Sequence, residues 1–140
     1  MEEITFRAIR KSDLDDIFLL LQQLTEINYS SRNKNICWDL FKNNNSSNAI
    51  VGVYKDKPIA YGSIVIENKI RGEVAGHIED IVVAKKYRGK NIGVKLIEKL
   101  VDIGKSKNCY RITLLCNESL SRFYNKNGFT SNNIAMKKYL

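Results

Sequence analysis

The chain has 140 residues, 44% hydrophobic and 27% charged, values that suit one folded domain with a real core and argue against disorder. Lys and Arg number 23 against 15 Asp and Glu, a formal charge of +8, which is either solvated background or an attraction for anions. The basic residues are scattered and form no nucleic-acid motif, no apolar run approaches the ~20 residues of a membrane span, and no leader pattern opens the chain, so nucleic acid and membrane are not expected partners and a cytoplasmic location is.

Residues 4–10 alternate as in a strand, with Ile4, Phe6 and Ala8 against Thr5 and Arg7. Ser12 suits the N-cap of a helix carrying Asp13, Asp15 and Asp16 at the positive end of its dipole, with Leu14, Ile17, Phe18, Leu21 and Leu24 as its buried stripe. Residues 33–42 read as a second helix with Ile36, Leu40 and Phe41 inward and Trp38 as packing. A polar loop at 43–48 leads into a hairpin, with strands at 49–54 and 59–67 joined by Lys55-Asp56-Lys57-Pro58. A loop over 68–73 carries Lys69 and Arg71. Residues 76–83 form a buried strand ending in Ile81-Val82-Val83. After a basic turn, a helix runs to about 105, with Ile92, Leu96, Ile97, Leu100 and Val101 on one face and Gly104 and Asn108 marking its end. A strand at 110–116, a short helix at 118–126 capped by Asn117 and ended by Asn127-Gly128, and a last strand at 134–139 complete the chain. The order β-α-α-β-β-β-α-β-α-β predicts one α/β (α+β) domain over 1–140, a mixed sheet with helices on both faces.

Three places carry chemistry. In Arg88-Gly89-Lys90-Asn91-Ile92-Gly93 the glycines allow positive φ or a close backbone, and Asn tolerates the left-handed region. The helix that starts there turns its first N–H groups outward beside Arg88, Lys90 and Lys95, which suits a phosphate or pyrophosphate. Glu79 and Asp80 are consecutive, so on a regular strand they point to opposite faces. They are either salt-bridged strand-end acids or groups that meet a substrate, because carboxylates beside a buried run need partners. His77 reads as a strand histidine satisfied by hydrogen bonds rather than a general base. Cys37, Cys109 and Cys116 are odd in number and lack metal spacing, so reduced thiols and no metal are expected, with Cys116 a small buried hydrophobe.

The loop at 88–93 resembles the (Gln/Arg)-x-x-Gly-x-(Gly/Ala) acetyl-CoA loop of the GNAT N-acetyltransferases, with Asn91 where that family usually has Gly. Gly76-His77-Ile78-Glu79-Asp80-Ile81, Asn108-Cys109-Tyr110-Arg111 and Phe123-Tyr124-Asn125-Lys126-Asn127-Gly128-Phe129 extend the resemblance. From about residue 64 to 136 the chain is similar to the eukaryotic-type glucosamine 6-phosphate N-acetyltransferases. The resemblance implies the GNAT fold, with the central strands splayed around a thioester. It implies acetyl-CoA as donor and the amine of D-glucosamine 6-phosphate as acceptor, on the way to UDP-N-acetylglucosamine. A peptide or polyamine amine is the alternative acceptor.

The same resemblance assigns residues. Coenzyme contacts fall to Ile81, Val82 and Val83, to Arg88, Gly89, Lys90, Asn91, Ile92, Gly93 and Val94, and to Tyr124, Asn125 and Lys126. Leu115 stands where relatives often carry Asp, and would act through its backbone. Glu79 would take the ammonium proton and Asp80 bind sugar hydroxyls or the ammonium, with either acid open as the base. Tyr124 would donate its hydroxyl to the leaving sulfur. Thr25, Lys69, Arg71, Glu79, Asp80 and Ile81 would line the acceptor site. Tyr110 and Arg111 would reach the neighbouring subunit's acceptor in a homodimer. A basic residue on the last strand is implied at Lys138, although the simplest alignment puts Tyr139 there.

Overall fold

In the computed structural model, which describes residues 3–24 and 33–140, five strands form one sheet in chain order. They are β1 (Thr5–Ala8), β2 (Ser47–Tyr54), β3 (Lys57–Asn68), β4 (Val74–Val83) and β5 (Arg111–Leu114). The first four are antiparallel neighbours and β5 lies parallel to β4. The helices are α1 (Leu14–Leu21), α2 (Lys34–Asn43), α3 (Ile92–Ser106) and α4 (Ser121–Lys126). A parallel neighbour needs a crossover, and α3 supplies it between β4 and β5.

The two faces of the sheet are buried by different helices, as the mixed pattern predicts. On one, Leu96 and Leu100 of α3 pack on Ala60, Ile64 and Ile78. On the other, Ile17 and Leu20 of α1 pack on Ala49, Val51, Tyr61 and Val82. Lys55 and Asp56 both take positive φ (49° and 61°), making a two-residue hairpin turn whose twist suits the flanking strands. Pro58, expected in the turn, is instead the second residue of β3.

Other expectations are corrected. Ser12 does not cap α1: a 3-10 turn, Lys11–Asp13, precedes it. Asp13 is buried, where both its oxygens accept from the Arg7 guanidinium (2.7 and 2.9 Å) and one also accepts from the Arg10 N–H. It is thus an ion-pair anchor between β1 and α1 rather than a dipole-complementing surface acid. Leu20 joins the buried stripe while Leu24 is exposed, because α1 ends at Leu21. On α2 the Asn33 side chain caps the first turn, but Ile36 (56% exposed) and Leu40 (69%) face outward. Its apolar periodicity is real, yet no described element covers that side. Gly104 does not end α3; it is buried within it, and Asn108, at φ 63°, makes the left-handed exit. The last strand is absent. Ile134 (88% exposed) and Met136 (93%) lie on a tail without regular structure. Alternation announces a face to be buried, not an edge to pair with.

Candidate functional site

The site begins at an irregularity in β4. Ser63 pairs with Glu79 and Tyr61 with Val82, so Asp80 and Ile81 stand opposite the single residue Gly62. This is a β-bulge, and Asp80 occupies its left-handed position with φ 55°. Ile78 and Ile81 both pack on the α3 side and Val82 on the α1 side. Strand alternation therefore slips at the bulge. The expectation that Glu79 and Asp80 face opposite ways is overturned: Glu79 follows the α3-facing Ile78 and so turns to the α1 side, and the Asp80 carboxylate acts on Tyr61, which packs on that same side. Burial, and then the neighbouring Glu79 charge, hold the Asp80 carboxyl above its ordinary range. Beside it, burial pushes Tyr61 up to about 12, so that phenol is neutral near pH 7. Ser63 donates its hydroxyl to the Glu79 carbonyl (3.2 Å) on the paired strand.

Beyond the bulge the sheet opens. β5 pairs with β4 only from Ala75 to Ile78, whereas β4 continues to Val83. The main-chain groups of 79–83 on that side thus have no strand neighbour, and this edge can accept an extended ligand as an added strand. The chain then makes a 3-10 turn, Lys85–Tyr87, held by a T-shaped contact between Tyr87 and Tyr54, ring centroids 5.5 Å apart. Arg88 folds back, donating from Nε to the Val83 carbonyl (3.1 Å) and from its terminal nitrogen to Gln23 in the turn after α1 (3.0 Å). Gly89 (φ 79°) and Asn91 (φ 61°) reverse the chain, and Asn91 is the N-cap of α3 without a side-chain capping bond. The first helical bond closes from the Lys95 N–H to the Asn91 carbonyl. The N–H groups of Ile92, Gly93 and Val94 are therefore left pointing away from the helix body. A Cβ at Gly89 would meet no atom within 4 Å, whereas one at Gly93 would come 3.3 Å from the Phe123 ring of α4. The first glycine serves backbone conformation and the second serves packing.

Phe123 contact in turn fixes α4 and its next residue. Tyr124 is 8% exposed, its ring set edge-on to Phe123 and Phe129 (5.1 and 6.0 Å). Burial raises its phenol, and Cys116 raises it further, so Tyr124 holds its proton as a donor. Asn127 closes the helix through Nδ2 to the Phe123 carbonyl (2.8 Å). Between β5, α4 and the tail runs an open groove of about 690 Å³, with Leu115, Cys116, Tyr124 and Asn125 among its walls. Cys116 is exposed there, not buried as expected, because β5 stops at Leu114 and the chain leaves the sheet.

The basic residues gather elsewhere. Lys69 pairs with Glu67 (2.9 Å), and Arg71 pairs with Glu73 (2.5 Å) and donates to the Tyr110 hydroxyl (3.1 Å). Arg111 lies over the Tyr110 ring. These residues form one cluster, but Arg111 pairs in register with Ala75, four residues from Glu79. That is about 13 Å along the strand, so one protomer brings the basic cluster together without bringing it to the acids. Lys138 is on the tail and not on a strand. Thr25 lies outside the described residues. Sequence reasoning missed the bulge, Ser63 and Gln23; Gly62 was the available signal, since a Cβ there would sit 2.6 Å from Ile81 and 2.9 Å from Leu100.

Comparison with known proteins adds the following. The model of the acetyltransferase (GNAT) family matches residues 14–129. Glucosamine 6-phosphate N-acetyltransferase 1 of Dictyostelium discoideum is 37% identical, the match covering 98% of this chain and 91% of that protein. The Trypanosoma brucei brucei glucosamine 6-phosphate N-acetyltransferase is 30% identical over 96% of this chain and 95% of its own. The crystal structure of glucosamine-6-phosphate N-acetyltransferase from Arabidopsis thaliana superposes with a TM-score of 0.90 at 34% identity, covering 99% of both chains.

Proposed function

Because the chain belongs to the acetyltransferase (GNAT) family, we propose that it transfers the acetyl group of acetyl-CoA to the amine of D-glucosamine 6-phosphate, giving N-acetyl-D-glucosamine 6-phosphate and CoA. The observation that carries this reading is the open β4 edge with two acids at one end and the unpaired N–H groups of α3 at the other. The identity to glucosamine 6-phosphate N-acetyltransferases runs over nearly the full chain.

The coenzyme lies along that edge. Its pyrophosphate meets the N–H groups from Gly89 to Val94, where helix-end dipoles and the charges of Lys90 and Lys95 favour an anion. Arg88 contributes main chain here, since its guanidinium is bound to Val83 and Gln23. The pantetheine amides pair with the main chain of Ile81, Val82 and Val83, and an N–H of this strand receives the developing oxyanion. Leu115, just past the end of β5, and Asn125 and Lys126 of α4 flank the coenzyme. No metal is needed for the reaction.

The proton balance follows from the side chains. Glu79 or Asp80 takes one proton from the acceptor ammonium, directly or through water, and passes it to solvent. The free amine attacks the acetyl carbon, forming C–N as C–S breaks. The nitrogen's second surplus proton reaches the departing sulfur through the Tyr124 hydroxyl. Burial, and then Cys116, hold the Tyr124 phenol above its ordinary range, so this is a hydrogen-bonded relay rather than strong-acid catalysis. The distance between the basic cluster and the acids supports a homodimer, in which Tyr110 and Arg111, with Lys69, Arg71 and Lys138, reach the phosphate in the other protomer's site. Thr25 completes the acceptor pocket. The enzyme works as one domain, in the cytoplasm, and feeds UDP-N-acetylglucosamine synthesis.

The test is acetyl-CoA consumption by the purified protein with glucosamine 6-phosphate, glucosamine and spermidine. Loss of a charged phosphate contact is worth about 10–100-fold, and kcat/KM is expected to fall by that factor without the phosphate. Equal rates on all three amines would favour the peptide or polyamine reading.

A further inference from the structure

His77 and Glu79 are two residues apart on β4, so their side chains share a face. His77 Nε2 lies 2.8 Å from Glu79 Oε1, and Nδ1 lies 2.8 Å from Thr113 Oγ1 on β5. His77 and Thr113 are also directly paired in the parallel ladder, one step before it ends at Ile78 and Leu114. The imidazole thus spans the last closed rungs of the sheet and the first residue of the open edge. A carboxylate can only accept, so Nε2 carries hydrogen; in the neutral ring Nδ1 is then the acceptor, and the Thr113 hydroxyl donates. The chain of donors runs one way, Thr113 to His77 to Glu79.

We propose that His77, fixed by Thr113, is a positioning residue that selects Glu79 over Asp80 as the proton acceptor. It occupies Oε1 and turns Oε2 toward the amine. The inference rests on the acetyl-transfer reading above. A half-exposed glutamate otherwise samples several rotamers, and a charge-assisted bond removes most of that freedom. Asp80 has no hydrogen-bond partner among the described residues, and only burial and the neighbouring Glu79 charge act on its carboxyl, so nothing aims its oxygens. Of the two acids, only Glu79 is held at an oriented oxygen.

Initial rates with saturating acetyl-CoA and glucosamine 6-phosphate test this, using the full chain as wild type, H77F, H77Q, E79Q and the H77F/E79Q double variant. E79Q is expected to cut kcat about 100-fold. H77F is expected to cut it about 10-fold, the coupling of directly bonded neighbours, with KM for acetyl-CoA within about twofold. H77Q, whose amide nitrogen reaches the place of Nε2, recovers most of the rate. H77F adds nothing to E79Q, because it acts through Glu79. Independent losses that multiply, a wild-type rate in H77F, or a wild-type rate in E79Q would each overturn the assignment. Should H77F not fold, T113V removes the Nδ1 partner at nearly constant shape; a kcat loss absent from the E79Q background supports the proposal, and no loss overturns it. Wild-type protein inert toward glucosamine 6-phosphate would sink the parent reading instead.

Discussion

At the start of α3, from Ile92 to Val94, the unpaired groups are main-chain amides; at the bulge of β4, around Glu79, the groups presented are two carboxylates, an imidazole and a hydroxyl. The first region stands on Ile92, Leu96, Ile97 and Leu100, all nearly inaccessible to solvent. The second stands on a bulge and on side-chain hydrogen bonds at half-exposed positions. A backbone site inherits the rigidity of the core and tolerates changes of side chain. A side-chain site depends on each group being aimed, and loses turnover before it loses binding.

Three substitutions sharpen this contrast. The largest effect is expected at the buried phenol: Tyr124→Phe lowers kcat about 10–100-fold and leaves acetyl-CoA affinity near normal, by steady-state kinetics and calorimetry. An unchanged kcat, with chemistry shown to be rate-limiting, would remove Tyr124 from the relay. On the other side the pattern inverts. Gly89→Val forces a β-branched residue to φ 79° and should weaken coenzyme binding about 3–10-fold, the equivalent of ~1 kcal/mol of backbone strain, while kcat at saturation stays within about twofold. A variant that lost turnover but not affinity would break the division. The smallest effect is on stability. Because the folded protein holds the Asp80 carboxyl above its usual range, protonation favours the fold below the unfolded pKa, and that contribution is lost as pH rises through the folded pKa. Asp80→Asn, which keeps tolerance of the left-handed position, should therefore raise the melting temperature slightly at pH 7, with the gain vanishing at acid pH. A gain of equal size at both pH values would trace it to backbone preference instead.

The amide loop was legible in the sequence because its chemistry needs rare residues. Gly89, Asn91 and Gly93 are there for conformation or clearance, and those demands select residue types. The bulge was not legible. Asp is tolerated in the left-handed region but does not announce it, and a regular strand through Glu79-Asp80-Ile81 has the same composition. Its mark was on another strand, at Gly62, and reading it requires the register. Helix positions were clear from periodicity, yet Ile36 and Leu40 on α2 and Ile134 and Met136 on the tail are exposed. Apolar pattern states that a surface needs cover and leaves open what covers it. His77 was rightly read as a hydrogen-bonded strand residue; that its partner is Glu79 needed coordinates.

Gly104 has a mechanical consequence. A Cβ there would lie 2.7 Å from Ile112 Cδ1, so α3 is clamped to β5 at that point. Ile92 is twelve residues away, about 18 Å along the helix axis. The helix is a lever with its fulcrum on β5 and its tip above the opened edge. A tilt of about five degrees at the clamp swings the tip by about 1.6 Å, roughly half a hydrogen-bond length. A single missing methyl group, remote from any reacting atom, thus calibrates the reach between the amides at one end of the site and the acids at the other.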